Sequence, residues 1–160
     1  MFKFYLVTIF LAILLQADEI VINKSIHTSS IHTTHESIRD DKKEVVIDMS
    51  TGLMWQDNLA TYYKDRSCQQ KIDYCKRLDY AGYRDWVLPS ITQLESLVDL
   101  KQRFPVSSHV FKNLKYDGEY CSSSQSVSEP KSYWIVEFRE GYSYYAPSKK
   151  HYVKCVRPHK

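Results

Sequence analysis

The residues best suited to chemistry lie near the C-terminus, in the stretch YSYYAPSKKHYVKCVRPHK. An ammonium or guanidinium group can pair with a sulfate or carboxylate, and an aromatic ring can stack on a ligand or attract a cation. We therefore predict that this stretch forms a hairpin that binds an anionic glycan. The candidate ligand-binding residues are Tyr144, Tyr145, Lys149, Lys150, Tyr152, Lys154 and Arg157.

The charge distribution is consistent with this prediction. Residues 101–160 contain 11 Lys/Arg and 5 Asp/Glu, a net charge of +6, whereas residues 18–100 contain 10 and 14, a net charge of −4. The positive part is the one that would attract anions. A plainer interpretation stays open, in which the lysines lie on a solvated strand and discourage edge-to-edge aggregation.

Two common catalytic motifs are absent from the sequence. It contains no G-x-S-x-G nucleophile elbow and no H-E-x-x-H zinc motif. Histidine occurs in the C-terminal part only at His109, His151 and His159. A calcium-dependent sugar site around Pro130 would place Lys131 where it repels a cation. We predict no catalytic residues, no metal, no cofactor and no enzymatic activity.

The N-terminus has the pattern of a secretory signal peptide. Lys3 precedes an uncharged run of 12 residues, Phe4 to Leu15, and cleavage would follow Ala17. Because a membrane-spanning helix needs ~20 residues, we expect no stable membrane span after cleavage. We predict a signal peptide over residues 1–17 and an exported protein, in a periplasm or at the cell surface, that has no nucleic acid among its partners.

Residues 18–43 are polar and have no sustained periodicity, which predicts a flexible spacer. His27, His32 and His35 in this segment could bind a metal together, but a solvated spacer is the simpler interpretation. The folded domain is predicted to cover residues 44–160.

The four cysteines predict two disulfides, because an even number in an exported chain is typical of disulfide pairing. Cys68 and Cys75 lie on one predicted helix, where seven residues span about 10 Å. A disulfide needs Cα atoms less than ~7 Å apart. Each of the two must therefore pair with Cys121 or Cys155, and two connectivities remain.

Local patterns predict a hairpin and two helices in the first half of the domain. The segment VVIDMSTGLMWQ has two short apolar runs around Gly52, as in a hairpin. A first helix is predicted over residues 66–78. A second is predicted from an N-cap at Ser90, with Gln93 completing an S-x-x-Q capping box, to about Leu100.

The second half is predicted to be an antiparallel meander. Three strands, SYWIVEF, YSYY and HYVKCVR, are separated by turn sequences. Early helices followed by clustered strands indicate an α+β domain.

These segments, in this order, resemble the Lcl C-terminal domain family of bacterial exported proteins. The resemblance covers about residues 44–157 and rests on VVIDMSTGLMWQDN, DYCKRLDYAGYRDW, LPSITQLESLVD, YWIVEFREG and YVKCVR. It implies a C-type lectin-like fold, with two helices packed on twisted antiparallel strands and stabilised by disulfides. It also implies, by position, a disulfide between Cys75 and Cys155, which leaves Cys68 with Cys121.

The resemblance implies a function as well. Relatives include surface adhesins in which this domain follows a collagen-like stalk and binds sulfated glycans as a trimer. With only four glycines, this chain has no Gly-X-Y stalk, so its oligomeric state stays open. We expect an exported, non-enzymatic recognition domain whose partner is an anionic glycan or an envelope protein. The alternative is an enzyme or an accessory subunit of a cell-envelope complex.

Overall fold

The computed structural model describes residues 37–62, 66–101 and 110–160. The predicted signal peptide over residues 1–17 and the three histidines of the predicted spacer lie outside these ranges. Within them, no helix is long and apolar enough to cross a membrane. The strands are β1 (Ser37–Asp40), β2 (Val45–Asp48), β3 (Leu53–Gln56), β4 (Glu119–Gln125), β5 (Ser132–Glu137), β6 (Tyr142–Pro147) and β7 (Val156–Pro158). The helices are α1 (Cys68–Lys76) and α2 (Ile91–Glu95), and a 3₁₀ turn covers Leu59–Tyr62.

The first sheet has the strand order β1-β2-β3-β7, and all its pairs are antiparallel. The predicted hairpin around Gly52 is confirmed as β2 and β3. Asp48 accepts hydrogen bonds from the Ser50 and Thr51 hydroxyls, at 2.6 and 2.7 Å, and Gly52 adopts a φ of 65°. A side chain at Gly52 would be strained by that positive φ.

Strand β1 begins before the predicted domain start at residue 44. Ile38 is its only strongly apolar residue and is 51 % exposed. The strand pairs with β2 at the sheet edge through its backbone, so it carries little of the alternation that predicts a strand from sequence.

The second sheet has the order β4-β5-β6, also antiparallel. The predicted meander is wrong in its third strand, because β7 pairs with β3 in the first sheet and not with β6. Residues 151–157 are all buried. This segment bonds to both sheets, since Tyr152 bridges to Tyr120 while Val156 pairs with Trp55 and with Val87.

Both helices begin at a serine N-cap with a reciprocal capping box. Ser67 with Gln70 starts α1, and the predicted pair of Ser90 with Gln93 starts α2. Helix α2 ends at Glu95, earlier than predicted. Beyond the helix, the backbone N–H groups of Leu97 and Val98 each donate to the carbonyl oxygen three residues earlier. Leu97 is buried although it lies beyond the helix.

Two disulfides attach α1 to the rest of the domain. They join Cys68 to Cys121 in β4 and Cys75 to Cys155, which precedes β7. This is the pairing that the family resemblance implies. All four cysteines are fully buried and belong to one hydrophobic core together with Trp86 and Ile135. Two helices and two antiparallel sheets, with α1 attached by two disulfides, make the domain α+β.

Candidate ligand-binding surface

The structure divides the seven predicted ligand-binding residues into two groups. Tyr144, Tyr145, Lys149 and Lys150 are exposed, whereas Tyr152, Lys154 and Arg157 are buried. The buried three lie in the segment that passes between the sheets. Lys154 has no exposed surface and the other two keep less than a tenth of theirs, so the structure does not place these three side chains on the exposed part of the predicted patch.

Lys154 is fully buried and is part of an ion-pair network. Its Nζ lies 3.1 Å from Oδ1 of Asp57 and donates to the Gln56 carbonyl oxygen at the same distance. Asp57 also accepts from the Arg39 guanidinium and from the backbone N–H of Asn113 at 3.0 Å. Burial, and secondarily the Arg39 charge, lower the pKa of Lys154 well below that of an exposed lysine. Lys154 therefore joins the segment before β7 to the end of β3 and to the loop that contains Asn113.

Arg157 is buried in a pair with Asp85. Its Nε and Nη2 contact the two carboxylate oxygens at 2.6 and 3.0 Å, a bidentate arrangement, and its guanidinium lies 3.8 Å from the Tyr83 ring centre. The hydrogen bond from Arg157 lowers the pKa of Asp85. Through these two hydrogen bonds Arg157 joins β7 to the segment before Trp86.

Tyr152 packs among aromatic rings in a second hydrophobic core, which also contains Tyr120 and Phe138. Its ring centre lies 5.4 Å from that of Tyr120 and 6.5 Å from that of Tyr62. A Cβ placed on Gly118 would overlap the Tyr152 ring, so glycine is required for this close approach. Tyr152 is therefore a buried residue that packs beneath the partly exposed Tyr62.

The two remaining tyrosines point to opposite faces of β6, because successive strand residues alternate. The Tyr144 hydroxyl donates to the Glu119 carboxylate. Burial, that hydrogen bond and the charge of Glu137 raise the pKa of Tyr144. This face is acidic and does not suit an anion. Tyr145 lies on the other face, paired in register with Trp134, and the two ring centres are 5.7 Å apart.

What remains of the predicted patch is a smaller surface at one end of the β5–β6 hairpin, here called the hairpin-end surface. Lys149 and Lys150 follow β6 there, and Ser148 donates its backbone N–H to the Lys131 carbonyl oxygen at 3.3 Å. All three lysines are exposed. The hairpin-end surface consists of Lys131, Trp134, Tyr145, Lys149 and Lys150.

His151 lies against Glu119. It is buried, and its Nδ1 lies 3.1 Å from Oε2 of Glu119. No group of three or more His, Cys, Asp or Glu side chains in residues 37–62, 66–101 and 110–160 is arranged to hold a metal ion.

The structure also forms a cleft that the sequence patterns did not indicate. It has a volume of about 570 Å³ and is lined mainly by basic and aromatic side chains. Its lining residues come from the 3₁₀ turn, from residues 112–117 and from the turn after β5. Segments so distant in sequence leave no local motif, although FKNLKYDG does place two lysines and a tyrosine close together.

The family comparison covers the fold from β2 into β7 and leaves out β1. A family model for the Lcl C-terminal domain matches residues 44–157. A comparison with curated proteins gives no match.

Proposed function

The chain belongs to the Lcl C-terminal domain family, and from this premise we propose that it is an exported, non-enzymatic recognition domain that binds anionic glycans through the hairpin-end surface. We propose further that its α+β arrangement is of the C-type lectin-like kind. Export is supported by the signal-like N-terminus and by two buried disulfides, which persist in oxidising compartments.

The observation that carries the proposal is the exposure of three lysines beside an aromatic pair. Three positive charges lie at one end of the hairpin, on Lys131, Lys149 and Lys150. A groove lined by residues 128–132 and 147 adjoins them, and Glu129 is its acidic residue. The Trp134–Tyr145 pair offers ring faces on the same hairpin. Ammonium groups pair with sulfates, and aromatic rings bury the apolar face of a sugar.

The test is binding of the oxidised protein to heparin as a function of salt, compared with a triple alanine variant at Lys131, Lys149 and Lys150. Salt screens exposed charges, with a Debye length of about 10 Å at 0.1 M. We expect binding at low salt that weakens steeply as salt rises and is lost in the triple variant.

A matched control separates the surface from net charge. It carries three alanine substitutions at exposed lysines elsewhere in the domain: Lys42, Lys76 and Lys101. Both variants lose three positive charges, so we expect the control to bind almost as the parent does. Equal losses in the two variants would mean that heparin responds only to overall charge, and no binding at low salt would direct the search to an envelope protein.

A further inference from the structure

The cleft of about 570 Å³ falls within the size range of small-molecule sites, roughly 300–1,000 Å³. Leu114 is one of its lining residues and is almost fully buried, whereas Tyr62 and Tyr116 are partly exposed. Tyr62 is held in place by the edge of the Tyr152 ring behind it. The cleft therefore combines an apolar side chain with two phenol rings that pack against the hydrophobic core.

The segment that carries the lysines of the cleft is anchored by a buried carboxylate. Asp57 accepts the backbone N–H groups of Lys112 and Asn113 at 2.9 and 3.0 Å. Further along, the Lys115 backbone N–H donates to the Tyr120 hydroxyl at 2.7 Å. These bonds fix the backbone of the cleft wall before any ligand binds, which lowers the entropic cost of binding.

The charges of the cleft are only partly compensated. Lys112 Nζ pairs with Asp41 at 2.7 Å, and Lys115 Nζ lies 3.4 Å from Asp117. The guanidinium of Arg139 is exposed and makes no hydrogen bond or ion pair to any residue in the described ranges. Three lining cations, set against the lining Asp117 and against Asp41 beside the cleft, leave a net charge of +1, which suits a single negative charge better than a phosphate dianion.

We propose that this cleft binds a small ring compound through a carboxylate. The carboxylate pairs with Arg139, whose planar fork of N–H donors matches two carboxylate oxygens. The ring of the ligand packs against Tyr62 and Tyr116, over Leu114. This site is separate from the hairpin-end surface in its residues and in its ligand, which is a monoanion and not a sulfated polymer.

The test is a titration of the isotope-labelled, oxidised protein followed by backbone amide NMR. Two carboxylates, glucuronate and 4-hydroxybenzoate, distinguish a sugar ring from an aromatic ring, and glucose and phenol are their neutral counterparts. We expect shifts centred on residues 62, 112–118 and 139 with at least one carboxylate, and binding at least about tenfold tighter than that of its neutral counterpart.

Two variants make the assignment specific. Arg139→Gln should weaken carboxylate binding about tenfold or more, because it removes the charge and the fork. The matched control is Arg84→Gln, which changes another exposed arginine that pairs with Asp79 and should bind as the parent does. Heparin binding should survive Arg139→Gln, which keeps this proposal distinguishable from the proposed function.

Several results would overturn the assignment. They are equal binding of carboxylate and neutral compound, binding insensitive to Arg139, shifts centred on the hairpin-end surface, and displacement by equimolar inorganic phosphate or sulfate. The absence of shifts with both carboxylates would overturn it too.

Discussion

The buried network around Asp57 leads to a quantitative prediction about stability. Asp57 is fully buried and faces two cations, Lys154 and Arg39, in addition to the backbone N–H groups of Lys112 and Asn113. Asp57→Asn removes the only carboxylate that touches Lys154 in the described part of the chain. Breaking a buried ion pair on one side costs about 3–5 kcal/mol, because a buried charge is left uncompensated.

Lys154→Met should cost less. It keeps much of the side-chain volume, and Asp57 retains the Arg39 guanidinium and two backbone donors. We expect a loss of about 1–3 kcal/mol, the cost of leaving buried hydrogen-bonding groups without one partner. The double variant should lose less than the sum of the single losses, by about 0.5–3 kcal/mol, because the two side chains are in contact.

The assay is equilibrium unfolding in urea of the oxidised protein, followed by tryptophan fluorescence, with the m-value compared across variants. Lys149→Met is the matched control at an exposed lysine and should change the free energy of unfolding by less than about 0.5 kcal/mol. The folded Lys154→Met protein should still bind heparin. The reasoning would be refuted if the Lys149 and Lys154 variants lost equal stability, or if the losses at Asp57 and Lys154 were additive.

Three further changes test other parts of the fold. Burial would raise the pKa of Asp48, but the hydrogen bonds from Ser50 and Thr51 outweigh it and lower the pKa. Asp48→Asn should therefore cost about 1–2 kcal/mol at pH 7. In urea titrations the difference should begin to shrink below about pH 4, where the unfolded-state carboxyl binds a proton, and should disappear once the pH passes below the lowered folded-state pKa. Replacing Cys68 and Cys121 together by serine opens a loop of 53 residues and should cost up to about 4 kcal/mol, measured by thermal unfolding. Gly118→Ala should cost about 1–3 kcal/mol by forcing the Tyr152 ring and the Lys115 carbonyl to move, and unchanged melting would contradict the close contact.

Features set by neighbouring residues are predictable from the sequence. The hairpin turn at Gly52 and the capping box of Ser90 with Gln93 depend on contacts within three or four residues, and both are present as predicted. Gly52 needs only its own positive φ, and Ser90 needs only a backbone N–H three residues away. Local chemistry of this kind leaves a local motif.

Which residues of the predicted binding site are exposed depends on contacts between distant parts of the chain, and the sequence patterns could not predict them. Lys154 looks like any lysine on a basic strand, but its partner Asp57 lies 97 residues away in the chain. Arg157 pairs with Asp85, which is 72 residues away. These two cations are buried because β7 pairs with β3 in the first sheet. No local sequence pattern specifies that pairing.

The order of the two disulfides has a consequence for how the domain withstands proteases. Along the chain the cysteines alternate, with Cys68 joined to Cys121 and Cys75 joined to Cys155. A single backbone cut at any peptide bond between Cys68 and Cys155 therefore leaves one bridge or both across the cut. The two pieces stay covalently attached until a reductant separates them. In an oxidising medium, a nicked molecule would remain one particle.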